Sequence, residues 1–394
     1  MSNGSELNPG DTRLDSRVTL APLFAPQRVG RLTLRNRFVM PGMQRGWTRE
    51  GAPTEDLAGY YRRRAEGGVA MIIGESAAID HPSATQQPAA CRLNARTADA
   101  WAFCAEGVRA AGSEFLIQLW HEGALRDPAD GGTLSPSGSA YGGHQGGRAA
   151  TLAELASIRD AYVAGARLAQ KIGASGIEVH ACHGYFLDQF LWAVTNTRTD
   201  GYGGSDIAQR ARFPAEIVAA IRAACGPDFL VSFRFSQYKQ HDYEARIAAT
   251  PDELATLLRA LRTAGVDLFH ASTRRFWLPA FAGSERSLAA WTRQLGGLPT
   301  IAVGSVGLSL DVMESFTGSE EAQSTVAATV ARLTAGIAAG DFDLIAVGRS
   351  LIADPDFVAK LRDGRGTEIR TFRKEQIAFL EKWERPHAPR PRQA

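Results

Sequence analysis

Eight short apolar runs alternate with longer amphipathic stretches along this chain, and no other feature restricts its fold so sharply. The runs fall at residues 37–40, 69–73, 115–120, 176–179, 230–233, 268–270, 300–303 and 344–347. Short apolar runs of this kind are the pattern of strands buried on both faces of a parallel sheet. Between them lie Ala-, Leu- and Arg-rich segments such as 97–111, 152–172, 207–224, 251–264 and 322–339, several opened by a Thr or Asp able to cap a helix. Eight buried strands alternating with helices predict an α/β fold, a (β/α)8 TIM barrel whose functional residues sit on the loops after each strand. The structural alternative, a doubly wound sheet, wants a glycine-rich dinucleotide turn after the first strand, and Pro41, Gly42, Met43 and Gln44 do not form one.

The rest of the chain fits around that barrel. Residues 23–34 (LFAPQRVGRLTL) have the pattern of a short N-terminal hairpin that plugs the bottom of a barrel. Two irregular segments interrupt the alternation. Residues 127–148, rich in Gly, Ser and Pro, are expected to form a long loop on the C-terminal face above the third strand. Residues 274–283 follow the sixth strand and carry Phe276, Trp277 and Phe281, aromatics that either pack or close as a lid over a flat ligand; the lid is the expectation here. The chain divides into a leader over 1–20, disordered or extended, a barrel over 21–370, and a C-terminal helix and basic tail over 371–394.

Lys and Arg number 44 against 42 Asp and Glu, a net charge of +2, which gives no footprint for nucleic acid or a membrane surface. Cys91, Cys104, Cys182 and Cys225 lack Cys-x-x-Cys spacing, which argues against a zinc ribbon or an iron–sulfur cluster and fits a reducing compartment. The leader has no apolar core of a signal peptide, and no run reaches the ~18 apolar residues of a membrane span. A soluble, cytoplasmic protein is expected, acting on small molecules and free to form homo-oligomers.

The chemistry concentrates at the fourth run. Directly after 176–179 come His180, His183 and Tyr185, which a turn at a strand end can aim into one pocket. Chemistry that builds negative charge on a carbonyl oxygen needs donors aimed at that oxygen, and a neighbouring carbon that becomes carbanionic needs an acid. Two imidazoles and a phenol supply both. The same residues admit blander readings, since His-x-x-His is also a metal motif and a Tyr at a strand end can be a core residue with a satisfied hydroxyl.

The run NTRTDGYGGS that follows, Asn196 to Ser205, resembles a signature of the Old Yellow Enzyme family of FMN-dependent ene-reductases. The resemblance extends from about residue 23 to about residue 362 and touches every strand end. It implies tightly bound, non-covalent FMN, with NAD(P)H as hydride donor and no metal. Flavin contacts are implied for Pro41, Gly42, Met43 and Gln44 after the first strand, Ser76 after the second, Gln118 on the third, Arg234 after the fifth, Gly304 and Ser305 after the seventh, and Gly348 and Arg349 after the eighth. Gln44 departs from the Thr or Cys common in the family. Chemistry agrees with several of these places. A carboxamide at Gln118 can pair with the alternating edge of a flavin pyrimidine, and a permanent cation at Arg234 favours the anionic reduced ring. The last two strand ends of such barrels commonly build phosphate sites.

The implied substrate residues are His180, His183, Tyr185, Trp120, Phe276 and Trp277, with His180 and His183 polarising a carbonyl and Tyr185 as proton donor. The implied reaction is reduction of the C=C bond of α,β-unsaturated carbonyl or nitro compounds. Oxidative demethylation or desaturation within the same family, and a flavin-binding protein without turnover, are the alternatives. Between Gly307 and Leu344 the chain is longer than the family pattern, with SLDVMESFTGSEEAQST inserted either at the phosphate side or as an oligomer contact.

Overall fold

The computed structural model describes residues 18–127, 129, 131–139 and 147–380. Each of the eight apolar runs forms a strand: β1 (Phe38–Met40), β2 (Met71–Ala78), β3 (Glu114–Trp120), β4 (Gly176–His183), β5 (Leu230–Lys239), β6 (Leu268–Ser272), β7 (Thr300–Val303) and β8 (Leu344–Ala346). They pair in parallel in chain order from β2 to β8, and β1 closes the ring by pairing with both β8 and β2. In register, Gly176 faces Leu230 and Ile345 faces Phe38. Closure removes every exposed edge from the inner sheet and confirms the (β/α)8 barrel.

Helices that alternate with the strands surround it, among the described residues α1 (Glu55–Glu66), α2 (Ala98–Ala110), α3 (Leu152–Lys171), α4 (Ile207–Cys225), α5 (Pro251–Ala264), α6 (Leu288–Gly296), α7 (Val326–Ala339) and α8 (Phe357–Arg362). Their starts follow local chemistry. Thr54, Thr151, Asp206, Thr250 and Ser287 each accept a hydrogen bond from a first-turn amide, and Thr151 with Glu154 completes a reciprocal capping box. α7 begins at Val326, four residues after the expected start at Ala322.

The bottom of the barrel is apolar and plugged. A hairpin of Gln27–Val29 and Leu32–Leu34 places Val29 and Leu34 against Met71, Leu116, Leu230, Leu268, Ile301 and Leu344, the inward residues of the strand starts. Above this layer the interior turns polar, with Gln118, Glu178, Ser232 and His270 all buried. The change from apolar floor to polar upper layer sets the position of the site.

Four strands run further than their apolar runs. β2 continues to Ala78, β4 through His180 to His183, β5 through Arg234 to Lys239, and β6 to Ser272. The leader up to residue 17, parts of the 127–148 loop (128, 130 and 140–146) and the basic tail at 385–392 lie outside the described residues. Of the C-terminal segment, Lys374–Ala378 forms a short 3-10 turn against the barrel. No helix among the described residues is long and apolar enough to cross a membrane.

Candidate active site

The end of β4 is bent so that three side chains face one opening. The pairing with β5 shifts register between Ala181 and His183, His183 takes a left-handed φ of +65°, and Gly184 follows at +91°. A left-handed conformation is costly for a residue with a Cβ and persists only when its surroundings impose it. Here the His183 amide donates to Ser236 Oγ at 3.1 Å and the Gly184 amide donates to Asp188 Oδ2 at 2.6 Å. Asp188 is itself held by Lys239 Nζ at 2.7 Å. The resulting turn sets the rings of His180 and His183 5.5 Å apart and the rings of His180 and Tyr185 5.0 Å apart.

Both imidazoles are neutral. Burial, with Arg234 nearby, lowers His180 to about 3 and holds His183 well below its ordinary value. His183 Nε2 lies 2.8 Å from Ser272 Oγ, which itself accepts from Arg234 Nη2 at 3.3 Å. The serine proton can therefore go to Nε2, which leaves the His183 proton on Nδ1. His180 Nε2 is buried without a partner, and its Nδ1 is 3.4 Å from Ser76 Oγ. Burial raises the Tyr185 phenol, which accepts from Gln240 Nε2 at 3.2 Å and stays protonated at neutral pH.

Below these rings lies a charged layer. Glu178 Oε1 accepts from Gln118 Nε2 at 2.7 Å, and its Oε2 accepts from Ser232 Oγ at 3.0 Å and from His270 Nδ1 at 2.8 Å. Burial opposes its charge, but His270, Arg234 and Gln118 outweigh that and keep it ionised. Burial lowers His270. The bond to Glu178 also fixes the Gln118 amide, so that Gln118 Oε1 accepts from Ser76 Oγ at 2.6 Å.

The opening is a cavity of 340 Å³, within the size class of small-molecule sites, roughly 300–1,000 Å³. Pro41, Gly42, Met43 and Gln44 line it from β1, and Ser76 from β2. His180, His183, Tyr185 and Arg234 form one side of it, while Gly304, Ser305, Gly348 and Arg349 form the far end. Arg234 donates to Gly42 O and Ser272 Oγ, both at 3.3 Å, and its Nε is buried without a partner. At the far end Arg349 donates to Leu310 O at 2.8 Å and Asp311 O at 2.9 Å, and also to Ser315 Oγ. Burial lowers Arg349 to about 10, which leaves it a cation at neutral pH. The inserted segment therefore lies at this end of the cavity. Its helix Val312–Thr317 contributes Val312 and Phe316 to the wall. Close approach is built in as well, since a Cβ on Gly348 would meet Met43 Sδ at 3.3 Å and one on Gly42 would meet Gln118 Nε2 at 2.9 Å.

Four of the expected residues do not line the cavity. Gln118 sits behind Ser76, in the charged layer. Trp120 supports Tyr185 edge-on, 5.2 Å away and nearly perpendicular. Phe276 and Trp277 correct the lid expectation. Phe276 is buried against Phe342, 6.1 Å away, and Trp277 lies under Arg332 at 5.3 Å, so both face the outer helices. Sequence reasoning in turn missed Glu178, His270, Ser272, Tyr238, Gln240 and Arg274. Glu178 and His270 carried a signal, a charge and an imidazole inside otherwise apolar strands.

His180, Cys182 and His183 also place ligand atoms within 4.8 Å of one another, a spacing a metal ion could bridge. Burial pushes the Cys182 thiol well up, which works against the thiolate such a site needs. The cavity as a whole favours an anionic ligand with a long reach. Arg45, Arg234, Arg274 and Arg349 line it, and among the described residues no Asp or Glu does. Arg234 with its orphaned Nε fits a ring edge that gains negative charge, and Arg349 beside Gly348 fits a phosphate. A (β/α)8 barrel with this cationic mouth and an imidazole pair beside a phenol defines a flavin-dependent oxidoreductase class.

Comparison with known proteins agrees. Residues 22–368 match the model of the NADH:flavin oxidoreductase / NADH oxidase family. The NADH oxidase of Thermoanaerobacter brockii is 33% identical over 363 residues, covering 88% of this chain and 52% of that protein. 12-Oxophytodienoate reductase 7 of Oryza sativa subsp. japonica is 28% identical over 369 residues, covering 88% of this chain and 89% of that one. Among solved structures, Old Yellow Enzyme from Pichia sp. AKU4542 superposes with a TM-score of 0.73 at 26% identity over 90% of each chain. Morphinone reductase in complex with tetrahydroNAD does so with a TM-score of 0.71 at 26% identity, over 87% of this chain and 91% of that one. The chain belongs to the NADH:flavin oxidoreductase / NADH oxidase family, the Old Yellow Enzyme family, whose members are oxidoreductases that bind FMN and use NAD(P)H. It spans about half the length of the Thermoanaerobacter NADH oxidase and of the metal reductase of Desulforamulus reducens.

Proposed function

We propose that this chain is an FMN-dependent ene-reductase that takes hydride from NAD(P)H and reduces the C=C bond of α,β-unsaturated carbonyl or nitro compounds. The observation that carries the reading is the convergence of His180, His183 and Tyr185 on one cavity. FMN, when bound, supplies the hydride it has received from the nicotinamide. Pro41 to Gln44, Ser76 and Arg234 would hold its ring system, with Gln118 fixing Ser76 from behind. Gly304, Ser305, Gly348 and Arg349 would hold its phosphate.

The chain's own residues then do three things. His183 from Nδ1–H, together with His180, donates a hydrogen bond to the substrate's carbonyl or nitro oxygen. Neutral imidazoles can do this without surrendering a proton, and the developing negative charge strengthens both bonds in the transition state. Tyr185 gives its phenolic proton to the carbon next to the activating group while the β-carbon accepts hydride, and water later returns the proton to the phenolate. The buried turn below keeps these groups in place.

The test is spectroscopic and kinetic. Purified protein should be yellow, should bleach anaerobically with NADH or NADPH, and should regain its colour when 2-cyclohexen-1-one is added. Bleaching without reoxidation by any conjugated enone or nitroalkene would leave a flavoprotein of another activity. A colourless preparation containing zinc would favour the His180, Cys182 and His183 metal reading.

A further inference from the structure

Among the described residues, four arginines and no carboxylate line the cavity, and three of the four have work already described or a clear structural tether. Arg234 is fixed on Gly42 and Ser272, and Arg349 on Leu310 and Asp311. Arg45 Nη2 donates to the carbonyls of Gln376, Ile377 and Phe379, which ties down the C-terminal segment. Arg274 is left over. Among the described residues it forms no ion pair, its Nε is buried without a partner, and its one side-chain hydrogen bond, to Gln240 O, is long at 3.4 Å.

Its place is nevertheless fixed. The Arg274 guanidinium lies over two rings, 4.2 Å from the centre of Tyr243 and 5.3 Å from that of Tyr238, and its backbone carbonyl accepts from Ser305 Oγ at 2.8 Å. Stacking on ring faces orders a guanidinium while leaving its in-plane donors unused. Arg274 lines the same cavity as His180, His183 and Tyr185. Tyr238 packs against His183 with rings 5.4 Å apart, and Gln240, whose carbonyl Arg274 touches, donates to the Tyr185 hydroxyl. A planar fork of this kind matches a carboxylate or phosphate, and burying part of it without one is costly.

Resting on the ene-reductase reading, we propose that Arg274 is an anion-recognition residue that takes an anionic oxygen group of the ligand whose reactive end lies at His180, His183 and Tyr185. The anionic group has two sources. One is a carboxylate on the unsaturated substrate, and the other is a phosphate of the nicotinamide nucleotide. In either case Arg274 governs ligand choice at the site and takes no part in hydride or proton transfer.

The test compares 2-cyclohexen-1-one with its 5-carboxylate, each with NADH and NADPH, in the wild-type holoprotein and in Arg274→Met and Arg274→Lys. Losing one charge-assisted contact should raise the KM of the carboxylate by roughly tenfold or more relative to that of the neutral enone, with part of the loss recovered in Arg274→Lys. A selective rise in the KM of the nucleotide would assign the anion to its phosphate and equally support the site. Parallel changes for charged and neutral ligands, or release of FMN from Arg274→Met, would overturn it. Binding of 4-hydroxybenzoate against 4-hydroxybenzamide, followed through the flavin absorption, needs no turnover. Selective loss of benzoate affinity in Arg274→Met would uphold Arg274 even if neither enone were reduced, a result that would remove only the ene-reductase reading.

Discussion

Lys239 and Asp188 form an ion pair with no exposed side-chain surface, Nζ to Oδ1 at 2.7 Å, and the second oxygen of Asp188 accepts the amide of Gly184 between His183 and Tyr185. The pair is both a stability element and the anchor of the turn between His183 and Tyr185, and the two roles separate by mutation. Asp188→Ala strands a buried ammonium and should cost about 3–5 kcal/mol in urea unfolding at fixed FMN excess. Asp188→Leu combined with Lys239→Met removes both charges and should recover much of that loss. It does not restore the anchor on Gly184, so substrate reduction should stay slow in both. Wild-type turnover in the double variant would show that the turn holds its shape without Asp188.

Tyr185 stands between the Trp120 indole edge and the His180 ring, with its hydroxyl on Gln240. Replacing it by Phe keeps the ring packing and removes the hydroxyl proposed as the acid, together with its contact to Gln240. Tyr185→Phe should leave flavin bleaching by NAD(P)H intact and slow the reaction of the reduced protein with an enone by roughly 10²–10⁴-fold. Stopped-flow absorbance resolves the two half-reactions. An unchanged second half-reaction would mean that the proton comes from elsewhere, with water the first candidate.

The barrel was legible because each strand begins with residues buried on both faces, and an apolar run reports that environment directly. Strand ends were not, for a physical reason. At the C-terminal mouth the inward residues face a ligand cavity and are polar, so β4 seemed to stop before His180 and β5 before Arg234. The imidazoles, the phenol and the phosphate-end glycines stood out because their types fit only a few kinds of chemistry. Phe276 and Trp277 misled because an aromatic residue in a loop satisfies packing and ligand closure equally, and only the position of Phe342 and Arg332 decides between them. Arg274 was invisible for the opposite reason. Its lack of an acidic partner is a property of the folded surroundings, which no local pattern records.

The buried imidazoles also set the acid limit of stability. Burial holds His180 at about 3 and His183 well below its ordinary value in the folded chain. On unfolding each returns to about 6.5. Between the folded and unfolded values the unfolded state binds more protons, so stability rises with pH through that window and is fully present above about pH 6.5. Each such imidazole contributes up to about 1.4 kcal/mol per pH unit on the way down. Unfolding midpoints measured between about pH 7 and 4 should fall accordingly, and His180→Asn should flatten the slope by about one proton. An unchanged slope would mean that His180 is protonated in the folded state. Enone reduction should meanwhile show no imidazole titration between about pH 6 and 9, because both rings are already neutral there.

Glu178 is a buried carboxylate in the layer beneath the cavity. It is ionised through its bonds to Gln118, Ser232 and His270 and lies within the field of Arg234. A fixed negative charge there offsets part of the Arg234 cation and opposes the negative charge a flavin ring gains on reduction. Glu178→Gln keeps the size of the side chain and removes that charge. The site then becomes more cationic, and the two-electron midpoint potential of bound FMN should rise by on the order of 30 mV, the equivalent of about 1.4 kcal/mol. His270→Asn leaves the carboxylate in place and should shift the potential much less. Equilibration with reference dyes under anaerobic conditions measures both. Equal potentials in Glu178→Gln and the parent would mean that the charged layer acts only by holding Gln118 and Ser76 in position, in which case Gln118→Leu should weaken FMN binding without moving the potential.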